Sequence, residues 1–347
     1  AQVKKETEDC VSVLFNIPEN LKEKFAYKQG QNITIKTTIN GKEVRRSYSL
    51  CSSPLSNEFR VAIKQVDGGL FSTYANTILQ AGDVLEVMPP VGKFYTELNT
   101  SHQKNYVAFA AGSGITPIIS IIKTTLVTEP KSSFTLVYSN KNHNTIIFKE
   151  ELEALKNNYL QRFQLIHLLS RERTDAELNY GRIDANKLQQ LSALINLKQT
   201  DEFFVCGPEQ MIFAVKDFLE AKNIEAAKVH FELFASSTQN ISTQKQETIS
   251  DTATTSKISI NVDGRSFEFD LPQNGQSILD AALQQGADLP FACKGGVCCT
   301  CKAKLVEGKV KMNVNWGLEE DEIAKGYILT CQSHPLSEKV VVDYDDR

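Results

Sequence analysis

CKGGVCCTC, residues 293–301, packs four of the chain's eight cysteines into one short loop. Cys293, Cys298 and Cys301 stand in the spacing C-x4-C-x2-C, and Cys331 follows downstream. That is one of the thiolate spacings that hold a [2Fe–2S] cluster. Gly295 and Gly296 let the backbone wrap closely around such a group and turn amides toward its sulfides. A zinc site is the alternative, but structural zinc sites usually present two short C-x-x-C knuckles, and here there is one. Neighbours in a tight loop point in different directions, so Cys298 and Cys299 are not both expected to ligate. Cys299 reads either as a small packing residue or as a substitute for a damaged Cys298.

Outward from the loop, the flanking segments describe a small α+β domain at 257–347. KISINVDGRSFEFDL (257–271) is a hairpin with its turn at Asp263-Gly264, and SILDAALQQGA (277–287) is a short amphipathic helix ending near Gly286. Residues 235–256, ASSTQNISTQKQETISDTATTS, are half Ser and Thr with no aromatic residue. A flexible tether is expected there, since such a segment buries too little to order itself; a long ordered surface loop is the alternative.

Before the tether the texture changes twice. Residues 1–102 contain short strands, QNITIKTTI, EFRVAIKQV and DVLEVMPPV, bounded by Gly, Asn or Pro, the pattern of a small antiparallel β-barrel. Residues 103–234 alternate strand and helix: NYVAFAAG into ITPIISIIKTTLV, FTLVYS into IIFKEELEALKNN, then FQLIHLLS, then FFVCG into PEQMIFAVKDFLEAKN. Alternation of that kind means a parallel sheet with crossover helices. The expectation is thus a multidomain chain: barrel, α/β nucleotide-type domain, tether and α+β cluster domain.

Composition bounds the function. Of 347 residues, 38 are Lys or Arg and 42 Asp or Glu, a net charge of −4, which argues against nucleic acid as the main partner. No apolar run is long enough to span a bilayer and no signal-type segment opens the sequence, so no membrane partner and a cytoplasmic location are expected. In a reducing compartment, clustered cysteines point to metal or redox chemistry and away from a disulfide scaffold.

A cluster that moves single electrons needs a donor, and the upstream motifs carry the chemistry for one. In Arg46-Ser47-Tyr48-Ser49, an aromatic ring can stack on a flavin, a hydroxyl can bond its N5 edge, and a guanidinium can neutralise a pyrophosphate. Gly68-Gly69-Leu70-Phe71-Ser72 is a glycine-rich turn whose amides and Ser72 could cradle phosphate. AAGSGITP (110–117) lies between strand and helix, where Gly112 and Gly114 allow close approach and the helix start favours an anion. It departs from G-x-G-x-x-G, since Pro117 stands at the third glycine. Cys206-Gly207-Pro208 again joins strand to helix, at the edge where open α/β sheets bind ligands.

R-x-Y-S, G-G-x-x-S, G-S-G-I-T-P and C-G-P in this order resemble the ferredoxin–NADP reductase superfamily, with a plant-type ferredoxin appended. SILDAALQQGADLPFACKGGVCCTCKAKLVEGKV, GYILTCQ and GGLFSTYA are similar to the reductase subunits of bacterial phenylacetyl-CoA epoxidases. The resemblance implies FAD, a nicotinamide dinucleotide, one [2Fe–2S] cluster held by Cys293, Cys298, Cys301 and Cys331, a β-grasp ferredoxin fold, and electron delivery to a di-iron oxygenase. Reductases of other aromatic-ring or alkene oxygenases, and a stand-alone NAD(P)H:acceptor reductase, are the alternatives. By the same resemblance, Arg46, Ser47, Tyr48 and Ser49 contact the flavin, and Ile63, Lys64 and Gly69–Ser72 hold its ribityl and phosphate. Gly112, Gly114 and Thr116 floor the nicotinamide site; Cys206, Gly207 and Pro208 wall the hydride path, and Glu232 and Phe234 in HFELF close over the flavin. Ser49, Cys206 and Glu232 are the residues placed at the reacting atoms. Ser170-Arg171, with Lys141 nearby, resembles the pair that grips a 2′-phosphate, so NADPH is expected over NADH.

Overall fold

A computed structural model describes residues 2–234 and 254–346. The chain forms two compact units, one spanning Ala1–Val44 and Tyr48–Phe234, the other made of Arg45–Ser47 and the described residues from 254 to 346. The expected tether lies almost wholly outside the described residues.

The larger unit opens with β1 (Gln2–Thr7), β2 (Cys10–Phe15), β3 (Asn32–Ile39), β4 (Lys42–Ser49), β5 (Phe59–Lys64) and β6 (Glu86–Val87). They form two three-stranded sheets, ordered β1-β2-β5 and β4-β3-β6, with one isolated bridge, Leu50 to Val61, between them. Asn40 and Gly41, both at positive φ, make the two-residue turn from β3 to β4. Alternating apolar residues of the two sheets, among them Val11, Val13, Ile33, Ile35, Val61 and Ile63, meet in one core. The expected strand over 83–91 shrinks to β6, because Pro89 and Pro90 carry no amide for a ladder. Residues Leu70–Thr77, read as the end of a turn, form helix α1 with Gly69 as its N-cap.

The second half of this unit is a five-stranded parallel sheet. Its strands are β7 (Asn105–Ala111), β8 (Ser133–Asn140), β9 (Phe163–Leu169), β10 (Glu202–Gly207) and β11 (Val229–Leu233). Helices α2 (Ile115–Thr128), α3 (Lys149–Asn158), α4 (Ala185–Leu191) and α5 (Glu209–Ala221) cover it. The spatial order β11-β10-β7-β8-β9 reverses direction between β7 and β10. A doubly wound sheet opens its ligand crevice at that reversal, at the carboxyl ends of the strands. Burial on both faces explains the near-continuous apolar runs of β7, β8 and β10.

The smaller unit is a mixed sheet, ordered β13-β12-β18-β14-β16. It uses β12 (Thr255–Val262), β13 (Arg265–Pro272), β14 (Lys302–Glu307), β16 (Tyr327–Leu329) and β18 (Lys339–Asp343), while β15 (Val310–Met312) pairs with β17 (Ser333–Pro335). Helix α6 (Ile278–Gln284) buries Ile278, Leu279, Ala281 and Ala282 in its core, and α7 (Glu320–Ala324) lies further along the chain. The hairpin turn falls at Asp263 and Gly264, both at positive φ, and Gly286 follows α6 in the left-handed conformation. β12 begins at Thr255, two residues before the expected domain start. Among the described residues, no helix is long and apolar enough to cross a membrane.

Candidate cofactor sites

Four of the expected cluster residues converge in two pairs. Cys298 Sγ lies 3.1 Å from Cys293 Sγ, and the Cys331 thiol, with burial, pushes that of Cys301 well above its usual range. Donation from Cys298, helped by the amides of Gly295, Cys298 and Val297, pulls the Cys293 thiol down to about 6 against the effect of burial. Among the described residues no three Cys, His, Asp or Glu side chains converge on a single-ion site. Two pairs of thiols fit a two-iron centre, with two thiolates for each iron, better than one tetrahedral zinc.

The loop is built to hold that shape. Lys294 and Gly296 take positive φ, and a Cβ on Gly296 would stand 2.7 Å from the Val314 carbonyl. Gly295 N donates to Cys293 Sγ at 3.3 Å, Gln332 Nε2 to the Lys294 carbonyl, and Lys294 Nζ pairs with Asp280 at 2.7 Å. Cys299 is half-buried beside the paired thiols.

β4 carries the R-x-Y-S residues with alternating faces. Arg46 is exposed, and its guanidinium donates to the Arg45 carbonyl at 2.7 Å. Tyr48 is half-buried against Phe71, ring centroids 5.5 Å apart, so the buried Phe71 backs the ring. Ser49 Oγ donates to Glu232 Oε2 at 3.0 Å, joining the end of β4 to β11. Burial pushes the Glu232 carboxyl up to about 7, against hydrogen bonds from Ser49 and Asn32. Asn32, at the start of β3, is buried, and its Oδ1 has no partner among the described residues. Sequence reasoning missed Asn32; an Asn opening a strand of β-formers was its one signal.

Ile63 is fully buried and belongs to the sheet core, while Lys64 pairs with Asp9 at 3.4 Å. Ser72 Oγ accepts from Val66 N and donates to the Gly69 carbonyl, so the hydroxyl closes the turn. What α1 offers an anion is its first amides, which have no intrahelical acceptor. Leu70, on the same turn, is exposed.

The structure brings the G-S-G-I-T-P and C-G-P segments together at the strand-order reversal. Gly114 is there because nothing larger fits: a Cβ would lie 2.1 Å from the Cys206 carbonyl. Gly207 is similarly crowded by Met211 and Ala111, and Gly112 takes positive φ. Thr116 Oγ1 donates to the Ser113 carbonyl, and Pro208 caps α5. Cys206 is fully buried between Ala110 and Glu232 in the ladder, and burial pushes its thiol well above the usual range. Phe234, just past β11, is 37% exposed. Ser170 and Arg171 follow β9, their amides bonded to the Asn140 and Lys141 carbonyls, so both strand ends present their polar residues at one sheet edge.

Profiles of known families match these regions: the oxidoreductase FAD-binding domain over residues 1–95, the oxidoreductase NAD-binding domain over 109–217, and the 2Fe-2S iron-sulfur cluster binding domain over 260–336. The chain is therefore an oxidoreductase with FAD-, NAD- and 2Fe–2S-binding domains. It is 45% identical to one of the subunits of the 1,2-phenylacetyl-CoA epoxidase of Escherichia coli (strain K12), over 99% of this chain and 96% of that one. It is 34% identical to the ferredoxin reductase component of the 3-ketosteroid-9-alpha-monooxygenase of Rhodococcus rhodochrous, over 99% and 95%. Among solved structures, phthalate dioxygenase reductase superposes with a TM-score of 0.60 at 24% identity, covering 99% and 96%. The chain belongs to the family of oxygenase reductase components that these relatives represent.

Proposed function

We propose that this chain takes electrons from NADPH and delivers them singly to a di-iron oxygenase component that epoxidises phenylacetyl-CoA. The full-length match to the Escherichia coli epoxidase chain, together with all three cofactor domains on one polypeptide, carries the reading. FAD, when bound, would supply a hydride acceptor for the nicotinamide, and the cluster would supply a one-electron carrier beyond it.

The chain's own residues do the rest. Tyr48, backed by Phe71, supports the flavin ring, and Arg46 with the first amides of α1 neutralises its pyrophosphate. Ser49 Oγ would meet the flavin N5 edge, and it donates to the Glu232 carboxyl, whose raised pKa of about 7 lets it hold a proton near neutral pH. Asn32 orients that carboxyl. Gly112, Gly114, Thr116 and the Cys206–Pro208 turn leave room for the nicotinamide at the sheet's reversal point, and Cys206 packs there without reacting. Ser170 and Arg171 with Lys141 take the 2′-phosphate, which favours NADPH. Cys293 with Cys298, and Cys301 with Cys331, hold the two irons.

In this reading residues 1–102 close as a β-barrel, 103–234 form the nucleotide domain, 257–347 adopt the β-grasp fold, and the chain works in the cytoplasm. The test is turnover: the purified chain, NADPH and O₂ with the phenylacetyl-CoA oxygenase subunits should yield epoxide, and a Rieske dioxygenase in their place should yield no product. Cluster reduction without epoxide would keep the electron relay and overturn the choice of oxygenase.

A further inference from the structure

Beside the cluster loop runs Asn313–Leu318, NVNWGL, pinned at several points. Gly317 N donates to the Gly296 carbonyl at 2.9 Å, and a Cβ on Gly317 would stand 2.6 Å from the Cys298 carbonyl. Asn313 N donates to the Gln332 carbonyl, and Leu318 N to that of Asn315. The segment thus lies in backbone contact with a cluster residue and cannot swing away. Yet Trp316, the chain's single tryptophan, is 40% exposed on it. An indole held still by its backbone loses little freedom on being buried by a partner, and Trp is enriched at the centres of interfaces.

Acid follows at once. Glu319 caps α7 through a reciprocal box with Glu322, and Glu322 is buried on Lys302 at 2.8 Å. Glu319, Glu320 and Asp321, which follow the indole in the chain, are exposed, and Asp321 pairs with Lys325 at 2.8 Å. From Lys257 onward the chain has 10 basic and 14 acidic residues, whereas residues 1–256 have 28 of each. The acid excess has no net counter-charge in the rest of the chain, which points to an outside one.

We propose that Trp316, followed by Glu319 and Glu320, is the docking face for the oxygenase component, whose complementary surface is an apolar pocket rimmed by Lys and Arg. This rests on the proposed function. The indole anchors the encounter beside the cluster, where a single electron has the shortest way out, and the carboxylates steer approach and reject acidic surfaces.

The experiment uses the full chain with NADPH and the phenylacetyl-CoA oxygenase subunits. Trp316→Ala should raise the KM for the oxygenase about tenfold, with Trp316→Phe between it and the parent. NADPH reduction of the cluster, followed by its visible bands, should keep its rate. Glu319→Gln/Glu320→Gln should flatten the salt dependence of delivery. An unchanged KM in Trp316→Ala overturns the proposal. So does slowed cluster reduction with an unchanged KM, which would assign the face to electron entry. Failure of the parent chain itself to support epoxidation overturns the functional reading, and this inference falls with it.

Discussion

Glu232 and Ser49 come from strands separated by most of the larger unit, and their 3.0 Å hydrogen bond depends on the whole sheet arrangement. Because burial raises the Glu232 carboxyl from 4.5 to about 7, its proton is held more tightly in the folded state. The stability it contributes is present below pH 4.5 and is lost as pH rises to about 7. Glu232→Gln should remove that fall, which denaturant melts across this pH range would register. At the cluster loop, Cys298→Ser should abolish the visible cluster bands while Cys299→Ser keeps them; bands lost in both would make Cys299 a ligand. Arg171→Ala should raise the KM for NADPH roughly tenfold, the scale of one charge-assisted hydrogen bond, and leave that for NADH nearly unmoved. The cluster domain was legible because cysteine spacing alone encodes its chemistry. Asn32 was not, since its part depends on Glu232, a residue distant in sequence and brought near only by folding.

At the scale of elements, the parallel sheet was readable from its alternating pattern because buried strands and their crossover helices differ in period and length. The flavin-side sheets were less so: β1 and β2 carry KKET and CVSV, polar and mixed, and were not singled out. Helix α1 was hidden behind its glycines, which read as a turn until Gly69 is seen as a cap. The close approach of the 112–114 turn to β10 makes Gly114→Ala a stringent probe, expected to cost about 2 kcal/mol of stability through backbone displacement. A second element-level device is Glu129, at the end of α2 and fully buried. Burial would raise its carboxyl, but donors from Ser132, Asn99 N, Tyr106 and His102 outweigh that and hold it below its usual range. They fasten the 99–106 segment, where the flavin-side residues pass into β7. Glu129→Ala should destabilise the larger unit by about 3 kcal/mol, read from urea melts, by stranding those buried groups.

For the molecule as a whole, two compact units on one chain let two kinds of chemistry be separated by a cut. A piece ending at Phe234 should still oxidise NADPH with ferricyanide as acceptor but should fail to support the oxygenase. Loss of ferricyanide reduction in a folded, flavin-bound piece would place the cluster unit in the hydride step. The smaller unit carries a further consequence in its strand order. Its first strand, β12, lies parallel to β18, with Ile258 opposite Val340 and Ile260 opposite Val342. The centre of that sheet is therefore missing until residues 339–343 have been made. During synthesis, the larger unit can settle while the four cysteines trail behind it as an unfolded thiol-rich stretch. Loading of iron and sulfide then waits until β18 has left the ribosome, and a chain stalled before Lys339 should carry flavin and no cluster.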